Sequence, residues 1–362
     1  MRLEVSERQT HSAMLDILAP LLAVGLAMIL GGLMVLALGK SPMQALMVYF
    51  IEPLSDPWAL QEMAVKASPL VMIAIGLAFC YRANLWNIGA EGQFILGGAM
   101  GGWIALLTHG MDAQSPFGTF WILPAMLMTG AIAGALYAMI PALLRVMLGV
   151  SEILTSLMLV YIAQLFLDYM VRGPWRDPKG FNFPVTVNFD PAATLPLLMH
   201  NGRLHLGVLF ALLAALIASL IMHRSLFGFE VRLVGIAPRA ARFAGFSEDR
   251  LTLIVFAISG ALAGLAGISE VAGQIGQLQP VISPGYGFTA IIVAFLGRLS
   301  PFGMVLAGLM MALTYVGGEA AQVSMKLPSF LVSAFQGLVL MCVLAADRLI
   351  RLRVRLHWGP RP

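Results

Sequence analysis

The chain has 362 residues, of which 59% are apolar and only 11% are charged, and this composition excludes a soluble globular protein. Its 37 glycines suit transmembrane helices, in which glycine is more frequent than in soluble ones. The formal net charge of +4 comes from arginines beside apolar segments, where topology and lipid headgroups explain it. We therefore expect lipid contacts and no nucleic-acid partner.

Ten apolar segments approach the length needed to cross ~30 Å of hydrocarbon. The sequence predicts an all-α integral membrane protein, a bundle of about ten transmembrane helices, at 17–39, 66–81, 93–108, 119–143, 153–171, 204–222, 251–271, 286–297, 301–319 and 329–346. The short segments 93–108 and 286–297 fit half helices as well as full crossings. No segment carries a charged side chain in its central portion, and no pair of broken helices with an ion site is evident.

The basic residues predict the orientation. With the N-terminus inside, 15 of the 22 Lys and Arg residues lie on the inner side, as the positive-inside rule requires. We predict a cytoplasmic segment at 1–16, a transmembrane domain at 17–346 and a basic cytoplasmic tail at 347–362. The domain includes an inner loop at 223–250 and an external loop at 172–203. The first apolar segment is too long for a signal-peptide core, and we expect it to be retained.

The sequence contains no pattern of catalytic or metal-binding residues. Cys80 and Cys342 lie inside apolar segments, and the six histidines show no metal-ligand spacing. No nucleophile motif is present. We expect no enzymatic activity, metal or cofactor on this chain. Glu270 and Glu319, near the outer ends of their spans, are expected to be exposed to solvent.

The inner loop predicts a helix of about two turns at 238–244. Pro238 suits the first turn of a helix, and Gly245 suits the left-handed residue after its end. Arg239 and Arg242 are three residues apart on one face, and Ala240, Ala241 and Ala244 keep the helix slim. Ser247 is expected to cap the next span. The pattern favours equally a helix that docks in another protein and a simple connector.

Several stretches of this chain resemble one known family. The spacing of Gly235, Ala240, Ala241 and Gly245 is similar to the cytoplasmic coupling segment of permease subunits of ABC importers for branched-chain amino acids, ribose and nucleosides. The run 284–303 resembles the same family. The stretches 84–93 (NLWNIGAEGQ) and 149–163 resemble its nucleoside branch, of the purine or guanosine type. The resemblance covers roughly residues 60 to 345.

This resemblance implies a permease that imports a nucleoside by alternating access across a bacterial plasma (inner) membrane. ATP and magnesium would bind to separate cytoplasmic ABC ATPase subunits. Further partners would be a second permease subunit, identical or different, and an extracytoplasmic substrate-binding lipoprotein. The residues implied in coupling to the ATPase are Arg232, Gly235, Pro238, Arg239, Ala240, Ala241, Arg242 and Gly245. Those implied in gating or the substrate path are Asn87, Gly89, Glu91, Gly92, Gln93, Ser151 and Glu152.

Other interpretations stay open. Asn87 and Glu91 also suit simple caps of the helix that they begin, and the pairs of glycines four residues apart suit close helix packing. Ser151 and Val160 stand where the nucleoside branch usually has Asn, a difference that bears on substrate. A path without buried counter-ions favours an uncharged substrate, so a simple sugar such as ribose is the alternative. A stand-alone secondary transporter and a structural membrane subunit are alternatives of other classes.

Overall fold

The computed structural model describes residues 2–7, 13–111, 119–199 and 202–357, and within these ranges the chain is mostly helical. The helices are α1 (Ala13–Ala37), α2 (Pro42–Leu46), α3 (Glu52–Ser55), α4 (Pro57–Arg82), α5 (Ala90–Leu107), α6 (Ile122–Leu148), α7 (Glu152–Arg172), α8 (Gly207–Arg224), α9 (Leu226–Ile236), α10 (Pro238–Phe243), α11 (Glu248–Glu270), α12 (Tyr286–Leu296), α13 (Pro301–Met325) and α14 (Ser329–Arg351). Two strands, β1 (Arg2–Glu7) and β2 (Leu352–His357), lie near the two ends.

The helices confirm an integral membrane protein. Among the described residues, six helices are long and apolar enough to cross a membrane: α4, α6, α7, α8, α11 with the π-turn that extends it to Ile275, and α13. Shorter apolar helical stretches cover Gly25–Ala37, Tyr286–Leu296 and Ser329–Val339. Every predicted segment falls on a helix, whereas the count of ten crossings and the orientation stay predictions.

The chain divides into two compact units, one formed by residues 1–60 with 313–362 and the other by residues 61–312. In the first unit, α1 packs along α14. The strands β1 and β2 pair antiparallel, with Leu3 opposite Leu356 and Glu4 opposite Arg355. This pairing, absent from the all-α prediction, suits the alternation of apolar and polar residues in both segments. It also brings residues 2–7 and 352–357 side by side.

In the unit formed by residues 61–312, α5, α6 and α11 cross at glycines. A Cβ atom added to Gly97 would collide with the backbone of Gly264, and one added to Gly134 would collide with Gly260. Because glycine has no side chain, the helix backbones can touch at these positions. The packing role predicted for the paired glycines is confirmed.

An interrupted helix follows this crossing. The helix α11 continues into a π-turn (Val271–Ile275), and the chain then runs without regular structure from Gly276, whose φ is +75°, to Gly285, whose φ is +96°. The 11-residue α12 begins next, and at 1.5 Å per residue it is about 16 Å long. Since this is about half of a ~30 Å bilayer core, the helix has the length of a half helix, one of the two alternatives that the sequence left open.

Candidate functional site

Asn87 is the centre of a buried hydrogen-bond network. Its side chain is completely buried, and its amide nitrogen donates to Gln93 Oε1 and to Ser259 Oγ, both at 3.0 Å. Its amide oxygen accepts from the Gly89 N–H and from Gln93 Nε2, also at 3.0 Å. All four hydrogen-bonding positions of the amide are therefore filled. The network joins the segment before α5 to the middle of α11.

Glu91 caps α12 and not the helix that contains it. The residue lies in the first turn of α5, is 2% exposed, and accepts a hydrogen bond of 2.6 Å from the Gly287 N–H. Gly287 belongs to the first turn of α12, where backbone N–H groups have no acceptor within the helix and favour a negative charge. A side chain at Gly287 would collide with the backbone of Glu91. The prediction that Glu91 caps its own helix is therefore wrong.

Glu91 places a buried carboxyl group beside the interrupted helix. Its partner Gly287 is in the first turn of α12, about 14 Å along the helix axis from Leu296. The central portions of the apolar segments contain no such group, because Glu91 precedes its segment in the sequence. The contact forms where the chain is interrupted between α11 and α12.

Glu152 links the second family stretch to the first. It is 5% exposed in the first turn of α7, forms an ion pair with Arg145 near the end of α6, and accepts a hydrogen bond of 3.3 Å from the Trp86 N–H. The Ser156 hydroxyl, one turn further along α7, accepts a hydrogen bond of 3.2 Å from the Ile88 N–H. Both contacts hold the loop before α5 against the beginning of α7.

Gly89 and Gly92 let α5 approach the backbone of α7. An added Cβ would lie 2.8 Å from the Ser156 carbonyl oxygen at Gly89 and 3.0 Å from the Val160 Cα at Gly92. Val160 is 1% exposed and lies at this contact. Ser151 is exposed. The expectation that their difference from the usual Asn bears on substrate stays a prediction for both residues.

A cavity of about 470 Å³ lies beside these contacts, where α6 ends and where α7 and α11 begin. Its polar lining residues are Arg145, Ser151, Glu152, Glu248, Asp249 and Thr252. The volume falls in the range typical of small-molecule sites. Because three carboxylates outnumber the single guanidinium, the lining disfavours an anion and offers acceptors for hydroxyl and amide N–H groups. Within the described residues, no group of three or more His, Cys, Asp or Glu side chains could hold a metal ion.

The inner loop has the local structure that its sequence predicts. Pro238 begins α10, and Gly245 has a φ of +85°. The Phe246 N–H donates to the Ala241 carbonyl at 3.0 Å, which completes the C-terminal cap. The helix ends at Phe243, one residue before the predicted end. Ser247 caps α11 through the Arg250 N–H, as predicted.

The exposed surface of α10 combines charge with apolar groups. Pro238, Arg239, Ala240 and Arg242 are exposed, whereas Ala241 is buried and Arg232 is half-buried. Gly235 lies against the Arg82 carbonyl at the end of α4. The sequence analysis missed Ile236 and Phe243, which are 84% and 94% exposed. The sequence did offer a signal, because Ile236 stands two residues before this arginine-containing helix and Phe243 stands at its end, where large apolar side chains are unusual on a polar loop.

A second buried polar cluster lies at the other end of α11. Glu270 is 7% exposed and accepts a hydrogen bond of 3.5 Å from the Tyr286 hydroxyl, so the expectation of solvent exposure is wrong for this residue. Glu62, at the beginning of α4, pairs with Arg203 at 2.8 Å and accepts from Gln274 Nε2 at 3.1 Å. Glu319, in the other unit, is exposed as expected.

A bundle of apolar helices long enough to span a membrane, with a short interrupted helix, a polar cavity and an exposed inner loop, has the architecture of a transport permease. Residues 59–344 match the family described as the permease component of the branched-chain amino acid transport system. The chain belongs to this family of ABC transporter permeases. It is a multi-pass membrane protein and not an enzyme. Permeases of this kind work with ATPase subunits and a substrate-binding protein.

Curated relatives of this chain carry different substrate names. The chain is 38% identical to the glucose ABC transporter permease protein TsgB13 of Haloferax volcanii, across 100% of this chain and 96% of the relative. It is 30% identical to the guanosine ABC transporter permease protein NupP of Bacillus subtilis, across 90% and 92%. It is 29% identical to the nucleoside ABC transporter permease protein NupB of Lactococcus lactis, across 83% of each. No solved structure matches the chain significantly.

Proposed function

We propose that this chain is the transmembrane permease of an ATP-driven nucleoside importer that works by alternating access. Two permease subunits, two cytoplasmic ATPase domains that bind ATP and magnesium, and an extracytoplasmic substrate-binding lipoprotein complete the importer. The observation that carries the proposal is the contact between the two stretches that resemble the nucleoside branch. The Asn87 segment and the beginning of α7 meet through Glu152 and Ser156, next to the 470 Å³ cavity.

The lining of the cavity supports an uncharged substrate. Carboxylates accept hydrogen bonds from ribose hydroxyls and from the amino groups of nucleobases, whereas they repel phosphates and carboxylates. The relatives named for guanosine and nucleosides favour a nucleoside. A simple sugar is the second candidate, because the relative with 38% identity is named for glucose and sugars share the hydroxyl groups.

Uptake measurements separate these two substrates. Cells with and without this chain receive radiolabelled guanosine, adenosine, uridine, ribose, glucose or leucine. We expect loss of nucleoside uptake in cells that lack the chain, with leucine uptake unchanged. Loss of glucose or ribose uptake alone would assign the permease to sugars and contradict the nucleoside proposal.

We further propose that α10 docks into the ATPase. The helix exposes two arginines and Phe243, and Gly235 seats the preceding helix on the end of α4. Because α4 also precedes the Asn87 segment, a displacement of the inner loop by the ATPase would be transmitted through backbone contacts to the buried hydrogen-bond network of Asn87. Arg242 adds a 3.6 Å ion pair with Glu248, one of the residues that line the cavity.

The coupling test uses two glycines with the same backbone conformation. Gly245→Val changes a left-handed residue after α10, and Gly110→Val changes one after α5, with φ values of +85° and +76° and no neighbouring atom within 4 Å of either added Cβ. Each change costs about 1 kcal/mol or more locally. We expect Gly245→Val to reduce both transport and substrate-stimulated ATP hydrolysis, whereas Gly110→Val leaves both rates unchanged.

The measurement uses proteoliposomes that contain the complete complex with binding protein, substrate and ATP. Vesicles that receive only an ion gradient provide the comparison with a secondary transporter. Uptake that follows the gradient without ATP would contradict the ATP-driven proposal. Normal coupling in a well-expressed Gly245→Val variant would leave α10 a connector.

A further inference from the structure

Three helices of the unit formed by residues 61–312 present long exposed faces, and two of these faces suit lipid. The exposed side chains in the central turns of α6 are apolar, namely Met128, Ile132, Leu136 and Ile140. The same holds for α8, which exposes Leu209, Leu212, Leu213, Leu216, Ile217 and Leu220. Helix faces of this composition are stable against hydrocarbon because they present no unpaired polar group.

The exposed face of α7 carries polar groups at the same depth, beside apolar side chains such as Ile162 and Leu165. Tyr161 is 56% exposed and Gln164 is exposed, near the middle of the 21-residue helix and about 14 and 18 Å from its first residue. Within the described ranges of the chain, neither the Tyr161 hydroxyl nor the Gln164 amide has a hydrogen-bond partner. Asp168 follows one turn later on the same side and pairs with Arg172 at 2.7 Å. We call Tyr161, Gln164 and Asp168 the α7 stripe.

Hydrocarbon does not satisfy an amide and a hydroxyl near the middle of a span. Polar side chains at this depth face the interior of a bundle or a water-filled cavity. None of the residues that the structure describes covers the α7 stripe, and a second subunit is the partner that would do so. The same helix begins at Glu152, which lines the cavity described above and lies about 14 Å from Tyr161 along the helix axis.

We propose that the α7 stripe lines the substrate path between this chain and the second permease subunit, with Tyr161 and Gln164 in contact with an uncharged nucleoside or sugar. The inference rests on the proposed transport function and names residues of its path. The tyrosine ring provides a face on which a base or sugar ring stacks. The glutamine amide both donates and accepts, as hydroxyl groups and base edges require. Neither group is charged, which suits a neutral substrate.

Single cysteines test whether the stripe faces water. Cys80 and Cys342 are first replaced by alanine, and cysteine is then introduced at Tyr161 or Gln164 in the complete complex in membranes. The controls are cysteines at Leu213 on α8 and Ile132 on α6, which are 52% and 53% exposed. We expect a charged methanethiosulfonate reagent to modify the two stripe positions at least about tenfold faster than the controls, because only thiols in water ionise and react. Equal rates at all four positions would overturn the proposal.

Two further measurements identify what covers and what occupies the stripe. A benzophenone attached to a cysteine at position 164 should cross-link to the second permease subunit, and cross-linking to lipid alone would refute the proposed interface. Saturating guanosine with its binding protein should slow the reaction at position 164. Protection by glucose and not by guanosine would leave the path in place and overturn only the nucleoside assignment. Protection by neither substrate would overturn the substrate contact.

Transport kinetics test the contact without chemical labelling. Gln164→Leu removes one or two hydrogen bonds to substrate and should lower uptake about tenfold. Leu213→Ala, the matched change on a lipid-facing helix, should leave uptake unchanged. Assembly of the complex, measured by co-purification of the ATPase, should be normal in both variants. Unchanged uptake by an assembled Gln164→Leu complex would contradict the role of this residue.

Discussion

The glycine crossing of α5, α6 and α11 makes a prediction whose sign depends on tertiary structure alone. At Gly264, an added methyl group would collide with the Gly130 carbonyl oxygen and would lie 3.0 Å from the Gly134 Cα. At Gly337, in the helical segment of α14, no atom lies within 4 Å of an added methyl group. Both glycines are in helices, so replacement by alanine has the same intrinsic effect on helix propensity at both positions.

The two replacements are expected to change the free energy of unfolding in opposite directions. Alanine in place of glycine in an open helix interior stabilises by up to about 1 kcal/mol, and we expect Gly337→Ala to leave stability unchanged or raise it by this amount. Gly264→Ala gains the same propensity but forces α6 away from α11. Overpacking in a dense core costs about 1–3 kcal/mol, and a backbone neighbour yields less readily than a side chain. The net result should therefore be a loss of stability at Gly264.

Thermal unfolding of the two purified variants in the same detergent measures this difference. Tryptophan fluorescence is followed during heating of each variant and of the unchanged protein. The yield of folded protein from membranes is measured as well. We expect a lower midpoint for Gly264→Ala and an equal or higher one for Gly337→Ala. A Gly264→Ala protein as stable as the unchanged chain would refute the close crossing of these helices.

Three other predictions address the site and the topology. Glu91→Gln keeps the size of the side chain but places an amide where the carboxyl group accepts a hydrogen bond from the Gly287 N–H, so stability should fall by about 1 kcal/mol in the same unfolding assay. Glu152→Gln leaves Arg145 without its partner and should impair uptake, and the double variant with Arg145→Gln should lose less than the sum of the single changes. A cysteine at Lys179 should react with an impermeant thiol reagent from outside, whereas one at Arg239 should not, and labelling at Arg239 from outside would contradict the orientation.

The residues of the inner loop show how far local rules carry. Pro238, Gly245 and Ser247 predict the beginning of α10, its left-handed end and the cap of the next helix, and all three occur in the structure. Each of these interactions joins residues within a few positions of each other. Their energies therefore depend on backbone geometry that the neighbouring sequence alone specifies.

The role of Glu91 shows where local rules end. Sequence neighbours favour a cap of α5, but the partner of the carboxylate is the N–H of Gly287, 196 positions away. The same holds for Glu152, whose partner Trp86 is 66 positions away. Both contacts arise because glycines let the helix backbones approach closely, and a single sequence does not reveal which glycines face each other.

Composition and the length of the apolar segments determined the class of this protein, because a soluble chain of this size cannot keep so much apolar surface out of contact with water. The sequence by itself also determined the helix ends of the inner loop, through contacts within a few residues. Only tertiary structure decided which face of each apolar helix is buried. A helix that is apolar on all sides has no polar face, and its sequence therefore does not show which side is buried. The exposure of Gln164 and the burial of Val160 on the same helix follow from packing against α5 and α6.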